Sequence, residues 1–110
     1  MLRWNVTTSP SGRKALIRVE GELDLYGTPA FAKAILAGVE GGWSRLCLDL
    51  SALDYLDSTG VGAIIRVLQA LRKKGGSLVS RGIQGSPRKV LELSNIIVLL
   101  GEEKSQEGNP

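Results

Sequence analysis

The sequence contains no histidine in its 110 residues. Without an imidazole the chain cannot form a Ser-His-Asp or Cys-His catalytic pair, and it lacks the usual general base near neutral pH. Carboxylates and lysines remain available, so a small hydrolase that uses Ser58 with Asp57 stays open as an alternative. We predict that the protein is not an enzyme.

Cysteine is almost absent as well. The single thiol, Cys47, excludes an internal disulfide and any zinc site that needs several cysteines. Its neighbours are apolar, which favours a place in the core. The glycine-rich loops that hold nucleotide phosphates, G-x-x-x-x-G-K-[ST] and G-x-G-x-x-G, do not occur. We therefore expect neither a metal nor a cofactor.

Long apolar runs are also missing, since no segment approaches the roughly 20 residues that a membrane span needs. The amino-terminal residues lack the apolar region of a secretion signal, so we expect a cytoplasmic protein without membrane insertion. The formal charge is +3, but the basic residues are scattered apart from Arg72-Lys73-Lys74 and Arg88-Lys89. The first cluster ends a predicted helix, where cations are favourable. We accordingly expect no nucleic-acid partner.

Hydrophobic periodicity predicts a β-β-α-β-α-β-α-β order. Strands are predicted at residues 3–8, 14–20, 46–50, 77–81 and 96–100, and helices at residues 28–40, 58–74 and 86–94. Thr28 is the predicted cap of the first helix, with Pro29 at its first position, and Ser86 caps the third. Residues 1–100 should form one small α/β domain with a mixed sheet, whose first strand is an antiparallel edge. Residues 101–110 read as a polar, frayed tail.

Three predicted loops, at residues 21–28, 51–58 and 82–86, should meet at the carboxyl edge of the parallel strands, where sites tend to form. In the second loop, Asp57 or Ser58 would cap the following helix. Capping does not explain Gly60 and Gly62, each of which costs a helix about 0.5–1 kcal/mol relative to alanine. A helix start with few side chains lets another backbone approach and leaves the Ser58 hydroxyl accessible. We predict an interaction surface there.

A phosphate on Ser58 would have two opposed effects. The helix amino terminus would stabilise the anion. Asp57, together with Glu22, Asp24 and Asp54 on the same predicted edge, would repel the added charge of roughly −1.5 to −2. Ser58 is therefore a candidate point at which binding is switched on and off without a change of fold.

These segments resemble the STAS domain, the family of bacterial anti-sigma factor antagonists. The matching strings are Gly21-Glu22-Leu23-Asp24-Leu25-Tyr26, Leu48-Asp49-Leu50-Ser51, Asp57-Ser58-Thr59-Gly60, Gly75-Gly76 and Val90-Leu91-Glu92-Leu93-Ser94. They fall in the family's order across about residues 3 to 100. The D-S-[ST]-G element with its flanks is the specific part of the match.

The resemblance implies a mechanism. In the family, the unphosphorylated antagonist binds an anti-sigma factor that is an ATP-dependent serine kinase, which frees the sigma factor. Phosphorylation of the serine after the aspartate, Ser58 here, ends the interaction, and a PP2C-type phosphatase restores it. Asp24 and Asp57 match family positions in the contact surface. Thr59 is the alternative acceptor, beside Ser58.

The predicted partner-binding surface combines both lines of reasoning. Its members are Glu22, Asp24, Asp57, Ser58, Thr59, Gly60 and Gly62.

The sequence departs from the family at two places. Gly27 stands where members often carry serine or threonine, and residues 101–110 show no counterpart of the family's carboxy-terminal amphipathic helix. A second function therefore stays open, that of an accessory or scaffold STAS subunit. Such a subunit would belong to a stress-signalling assembly or to a lipid-type ABC transporter, and its serine need not be switched.

Overall fold

The computed structural model describes residues 1–103, which form five strands and three helices. In chain order these are β1 (Arg3–Thr8), β2 (Lys14–Leu23), α1 (Thr28–Glu40), β3 (Arg45–Leu56), α2 (Ser58–Lys73), β4 (Ser77–Arg81), α3 (Gly85–Leu93) and β5 (Gly101–Glu102). The predicted α/β class and element order are confirmed. No helix in this part of the chain has both the length and the apolar character that crossing a membrane requires.

The five strands lie in one sheet in their chain order. Strand β1 is antiparallel to β2, whereas β2, β3, β4 and β5 are parallel. Because parallel strands that follow one another across a sheet are joined by right-handed crossovers, the three helices cover the same face. The core lies between that face and the helices. Its largest fully buried side chains include Phe31, Ile17, Leu23, Ile35, Leu46, Leu48, Leu50, Ile64, Leu71 and Leu91.

The second and third strands are longer than predicted. Strand β2 continues to Leu23 and β3 to Leu56, with two register shifts between them. Gly21 lies at the second shift with a φ of +93°, a conformation that side chains disfavour, so glycine lets β2 pass the irregularity and continue. The loops predicted at 21–28 and 51–58 shrink accordingly to residues 24–27 and the single residue Asp57.

The prediction for the last strand was wrong. Residues 96–100 form turns, and the strand is Gly101–Glu102, which pairs with Val79 and Ser80 of β4. The run of apolar residues looks like a strand, but Ile96 and Leu100 are the buried pair. Their four-residue spacing suits a turn of helix, and the amide of Leu100 donates to the Ile96 carbonyl.

The chain stays close to the sheet after that strand. The amide of Glu103 donates to the Ser80 carbonyl of β4 at 2.7 Å. The prediction of a frayed tail otherwise falls on residues 104–110, which lie outside the described residues.

Two helix caps also differ from prediction. Gly27 precedes α1 as its cap residue, and Thr28 is the first helical residue, with a buried hydroxyl that has no hydrogen-bond partner among residues 1–103. Helix α3 is capped by Gln84, and Ser86 lies inside the helix. In both cases the chain enters the helix one or two residues before the favoured capping side chain.

Candidate functional site

Asp57 organises the start of helix α2. Its carboxylate accepts hydrogen bonds from the amides of Thr59 at 2.9 Å and Gly60 at 3.2 Å, and from the Thr59 hydroxyl. The Thr59 hydroxyl holds the pKa of Asp57 below its usual range; partial burial opposes the effect and the backbone amides add to it. The carboxylate is therefore ionised at neutral pH, directly before Ser58.

The two adjacent hydroxyls have different surroundings. Thr59 is half-buried and donates its hydroxyl to Asp57. Ser58 is exposed as the first residue of α2, and none of the hydrogen bonds found within residues 1–103 uses its hydroxyl. The Ser58 oxygen is thus the accessible nucleophile of the pair.

The glycines of the helix start serve different purposes. A Cβ at Gly60 would lie 2.6 Å from the Leu23 carbonyl oxygen and 2.6 Å from a methyl group of Leu56. Gly60 is buried, and the backbone that approaches it closely here is that of the chain's own strand β2. At Gly62 a Cβ would meet nothing within 4 Å, and this glycine keeps the outer side of the helix bare.

Asp24 arranges the loop between β2 and α1. Its carboxylate accepts from the amides of Tyr26 at 3.0 Å and Gly27 at 2.9 Å, while its carbonyl accepts from the amide of Thr28. The loop is held against α2 because the amide of Asp57 donates to the Leu23 carbonyl at 3.3 Å. Two loops from separate parts of the sequence therefore form one surface, residues 24–27 with 57–62, which we call the Ser58 edge.

Two apolar side chains of the Ser58 edge escaped the sequence analysis. Leu25 is 61% exposed and Tyr26 is 89% exposed. Leu25 also borders an open groove of about 470 Å³ between α1 and α2. The wall of this groove includes Thr59 and the apolar side chains of Pro29 and Leu36. The sequence does show two large apolar residues directly after Asp24. Their exposure could not be predicted from it, because a strand or a helix at this place would have buried at least one of them.

Glu22 and Asp54 are separate from the serine. They line a surface hollow with Glu20 and Arg3, and the lining of this hollow includes neither Asp57 nor Ser58. The Glu22 carboxylate pairs with the amino-terminal ammonium group. The structure thus brings together Asp24 and the residues from 57 to 62, whereas Glu22 borders a different hollow.

Another carboxylate, Asp49, is nearly buried on the sheet face opposite the helices. It accepts hydrogen bonds from Ser51 and forms an ion pair with Arg81 at 3.4 Å. Burial raises the pKa of Asp49, but the Ser51 bonds and the Arg81 charge outweigh it and hold the pKa below its usual range. Nearby, burial raises the pKa of the Cys47 thiol to about 11, so this cysteine is not a nucleophile at neutral pH.

The Asp57 carboxylate is occupied by its own helix start. Asp57 directs its carboxylate to Thr59 and Gly60, and no base is hydrogen-bonded to the Ser58 hydroxyl within the described part of the chain. Among residues 1–103 no group of three or more carboxylate or thiol side chains is placed to hold a metal ion.

Comparisons with known proteins agree with this fold. A family model described as "Mlab, STAS domain" matches residues 6–101. The anti-sigma-B factor antagonist of Staphylococcus aureus is 24% identical over 103 residues, covering 94% of this chain and 95% of that protein.

Two solved structures share the architecture. The anti-sigma factor antagonist SpoIIAA in its unphosphorylated form has a TM-score of 0.82 at 20% identity, covering 96% of this chain and 92% of the other. The phosphorylated form of SpoIIAA, a Bacillus cell fate determinant, has a TM-score of 0.74 at 20% identity and covers 96% of both chains. At such identities the likeness is one of fold.

Proposed function

This chain belongs to the STAS domain family, and we propose that it is an anti-sigma factor antagonist controlled by phosphorylation of Ser58. Unphosphorylated, it binds an anti-sigma factor that is a serine kinase and so releases the sigma factor. The kinase transfers the γ-phosphoryl group of ATP to the Ser58 oxygen. The new O–P bond replaces the bond to ADP, and the hydroxyl proton leaves. A PP2C-type phosphatase hydrolyses the phosphate, and all these steps take place in the cytoplasm.

The observation that carries the proposal is the difference between Ser58 and its neighbours. Ser58 is exposed and free of described hydrogen bonds, whereas Asp57 and Thr59 bind each other. A phosphate can therefore be added without breaking any hydrogen bond described within residues 1–103. The printed names of the relatives, an anti-sigma-B factor antagonist and a SpoIIAA that exists in a phosphorylated form, support the same function.

The geometry also suggests why phosphorylation would end binding. The phosphate would lie beside the ionised Asp57 and above the bare helix surface at Gly62. It would place roughly −1.5 to −2 charges on a surface that otherwise allows close backbone approach. A partner that fits against this surface would lose contact and meet a repulsive charge.

The first test is a pull-down from host lysate, with wild type and Ser58→Asp as baits. In the second test, the recovered kinase and ATP are incubated with wild type and with Ser58→Ala. Wild type should recover a kinase-fold ATPase, Ser58→Asp should not, and Ser58→Ala should bind but take up no phosphate. Ser86→Asp is the matched control, because Ser86 is an exposed serine in the first turn of α3. Phosphate uptake by Ser58→Ala, or recovery of the kinase by Ser58→Asp, would contradict the proposal.

A second candidate is the accessory subunit of a larger assembly or transporter. The exposed Leu25 and Tyr26 favour it, because they offer a contact that needs no modification of Ser58. In that case wild type and Ser58→Asp would recover the same subunits, and no kinase would be among them.

A further inference from the structure

A second surface lies at the amino edge of the parallel strands, opposite the Ser58 edge. The segment before β2, the start of β3 and the end of α2 meet there around an open groove of about 970 Å³. Its lining includes Arg13, Lys14, Trp43, Arg45 and Lys74, and the remaining positions are serines and glycines. We call it the basic groove.

The basic groove carries uncompensated positive charge. Its four cationic side chains are exposed, and Arg72 and Lys73 immediately precede Lys74 at the end of α2. Within residues 1–103 none of these six cations forms an ion pair, although other arginines, such as Arg81 and Arg88, each bind a carboxylate. Among residues 1–103 no acidic side chain lines the groove.

Helices α1 and α2 both end at this edge, and their terminal carbonyl groups alone would repel an anion. The chain offsets this effect. The Lys74 ammonium group donates to the Val39 carbonyl in the last turn of α1, and Arg72 and Lys73 occupy the last turn of α2. These cations oppose the charge of the helix ends, while one carboxylate, Glu40, ends α1 next to Val39.

Trp43 adds an aromatic surface. Its ring lies directly against the backbone of Gly38 in α1, where a Cβ would overlap the indole. The ring is thus fixed on one side and is also partly packed against the hydrophobic core, while the part that stays accessible lines the groove beside the cations. Serines and glycines make up the rest of the wall and leave room for an extended chain.

We propose that the basic groove binds single-stranded nucleic acid, with phosphates on its cations and one base stacked on Trp43. A cationic groove with an aromatic platform is the arrangement by which proteins hold unpaired strands. An acidic peptide or an anionic membrane would share the negative charge but would not supply stacking bases, and the test below separates the three. From the sequence we expected no nucleic acid, because the basic residues are scattered apart from Arg72-Lys73-Lys74 and Arg88-Lys89. The fold places Arg13, Lys14 and Arg45 at the same edge as the first of these clusters.

The test is a fluorescence titration with an oligothymidylate of about 12 nucleotides, within the usual site size. The chain has two tryptophans, so the variant Trp4→Phe makes Trp43 the only reporter. We expect quenching of Trp43 and an affinity that falls with salt. Contact with about four phosphates would give a slope of log K against log salt near −3.

Charge reversal supplies the control. Arg45→Glu should weaken binding at least tenfold, whereas Lys89→Glu, which changes an exposed cation on α3, should leave it within about twofold. The proposal is overturned if oligothymidylate does not quench Trp43 at low salt or if Lys89→Glu weakens binding as much as Arg45→Glu. Equal binding of polyglutamate, or binding of phosphatidylglycerol vesicles in place of the oligonucleotide, would also overturn it.

Discussion

Gly60 lies against the carbonyl oxygen of Leu23, so close that a Cβ at position 60 would come within 2.6 Å of it. This contact joins the start of α2 to the end of β2 and thereby fixes Ser58 beside the loop of residues 24–27. The partner of Gly60 is a backbone group and cannot move aside as a flexible side chain would. The Ser58 edge therefore depends on a glycine for its internal packing.

Replacement of Gly60 by alanine should therefore destabilise the domain by about 1–3 kcal/mol, the usual cost of overpacking. Gly62→Ala is the matched control. It adds the same methyl group where nothing lies within 4 Å, and it should stabilise the helix by about 0.5–1 kcal/mol. Chemical denaturation of both variants measures the two effects, and a destabilised Gly62→Ala or an unchanged Gly60→Ala would contradict the packing described.

The same pair shows what sequence could predict. The capping pattern around Asp57 and Ser58, followed by helical periodicity, was enough to place α2 and its first residue, because these signals are local. Both glycines looked alike in the sequence, since the cost of glycine in a helix is the same at either position. Only the location of Leu23, brought close by sheet pairing, shows that Gly60 packs internally while Gly62 faces outward.

Other features of the structure could not be predicted from the sequence, because they depend on residues that are far apart in the chain. The cations of the basic groove come from three separate segments, so no window of sequence contains them together. Ile96 and Leu100 were assigned to a strand because a short apolar run has no clear period. Ile96 and Leu100 are buried four residues apart because residues 96–100 form turns between α3 and β5.

Loss of the Thr59 hydroxyl should affect both stability and the titration of Asp57. Thr59→Val removes the donor that contributes most to the lowered pKa of Asp57, so that pKa should rise. The variant should lose about 1 kcal/mol of unfolding free energy at neutral pH, the usual value of one hydrogen bond. Carboxyl chemical shifts followed by NMR give the pKa, and an unchanged value would show that the hydrogen bond is not formed in solution.

Acid should weaken the fold through Asp49 and Asp57. Both have a folded-state pKa below the ordinary value of 3.8. Their contribution is therefore present above that value and is lost as the pH falls through the lower, folded-state pKa. Unfolding free energy measured from neutral pH downwards should decline below about pH 4. Asp49→Asn should decline less steeply than wild type, because the substitution removes one of these two carboxylates.

The exposed side chains Leu25 and Tyr26 should act as anchors for the partner. Both side chains are exposed on the Ser58 edge, in a loop fixed by Asp24, and such anchors commonly contribute 2 kcal/mol or more, roughly 30-fold in affinity. Tyr26→Ala should therefore reduce binding of the recovered kinase with little change in melting temperature. Leu93→Ala is the control, because Leu93 is 85% exposed on α3, away from the Ser58 edge. If Tyr26→Ala and Leu93→Ala reduced kinase binding equally, Tyr26 would not be an anchor for the partner.

The turn at residues 96–100 predicts different stability losses for truncation of Leu100 and of Val98, whereas a strand would predict similar losses. A strand that buried Ile96 and Leu100 on one face would bury Val98 as well, yet Val98 is 77% exposed and Leu100 is 2% exposed. Leu100→Ala should thus cost about 2–5 kcal/mol of unfolding free energy, and Val98→Ala should cost less than about 0.5 kcal/mol as an ordinary surface change. Denaturant melts of the two variants decide the matter, since a comparable loss from Val98→Ala would restore the strand and move the edge of the sheet back to residue 96.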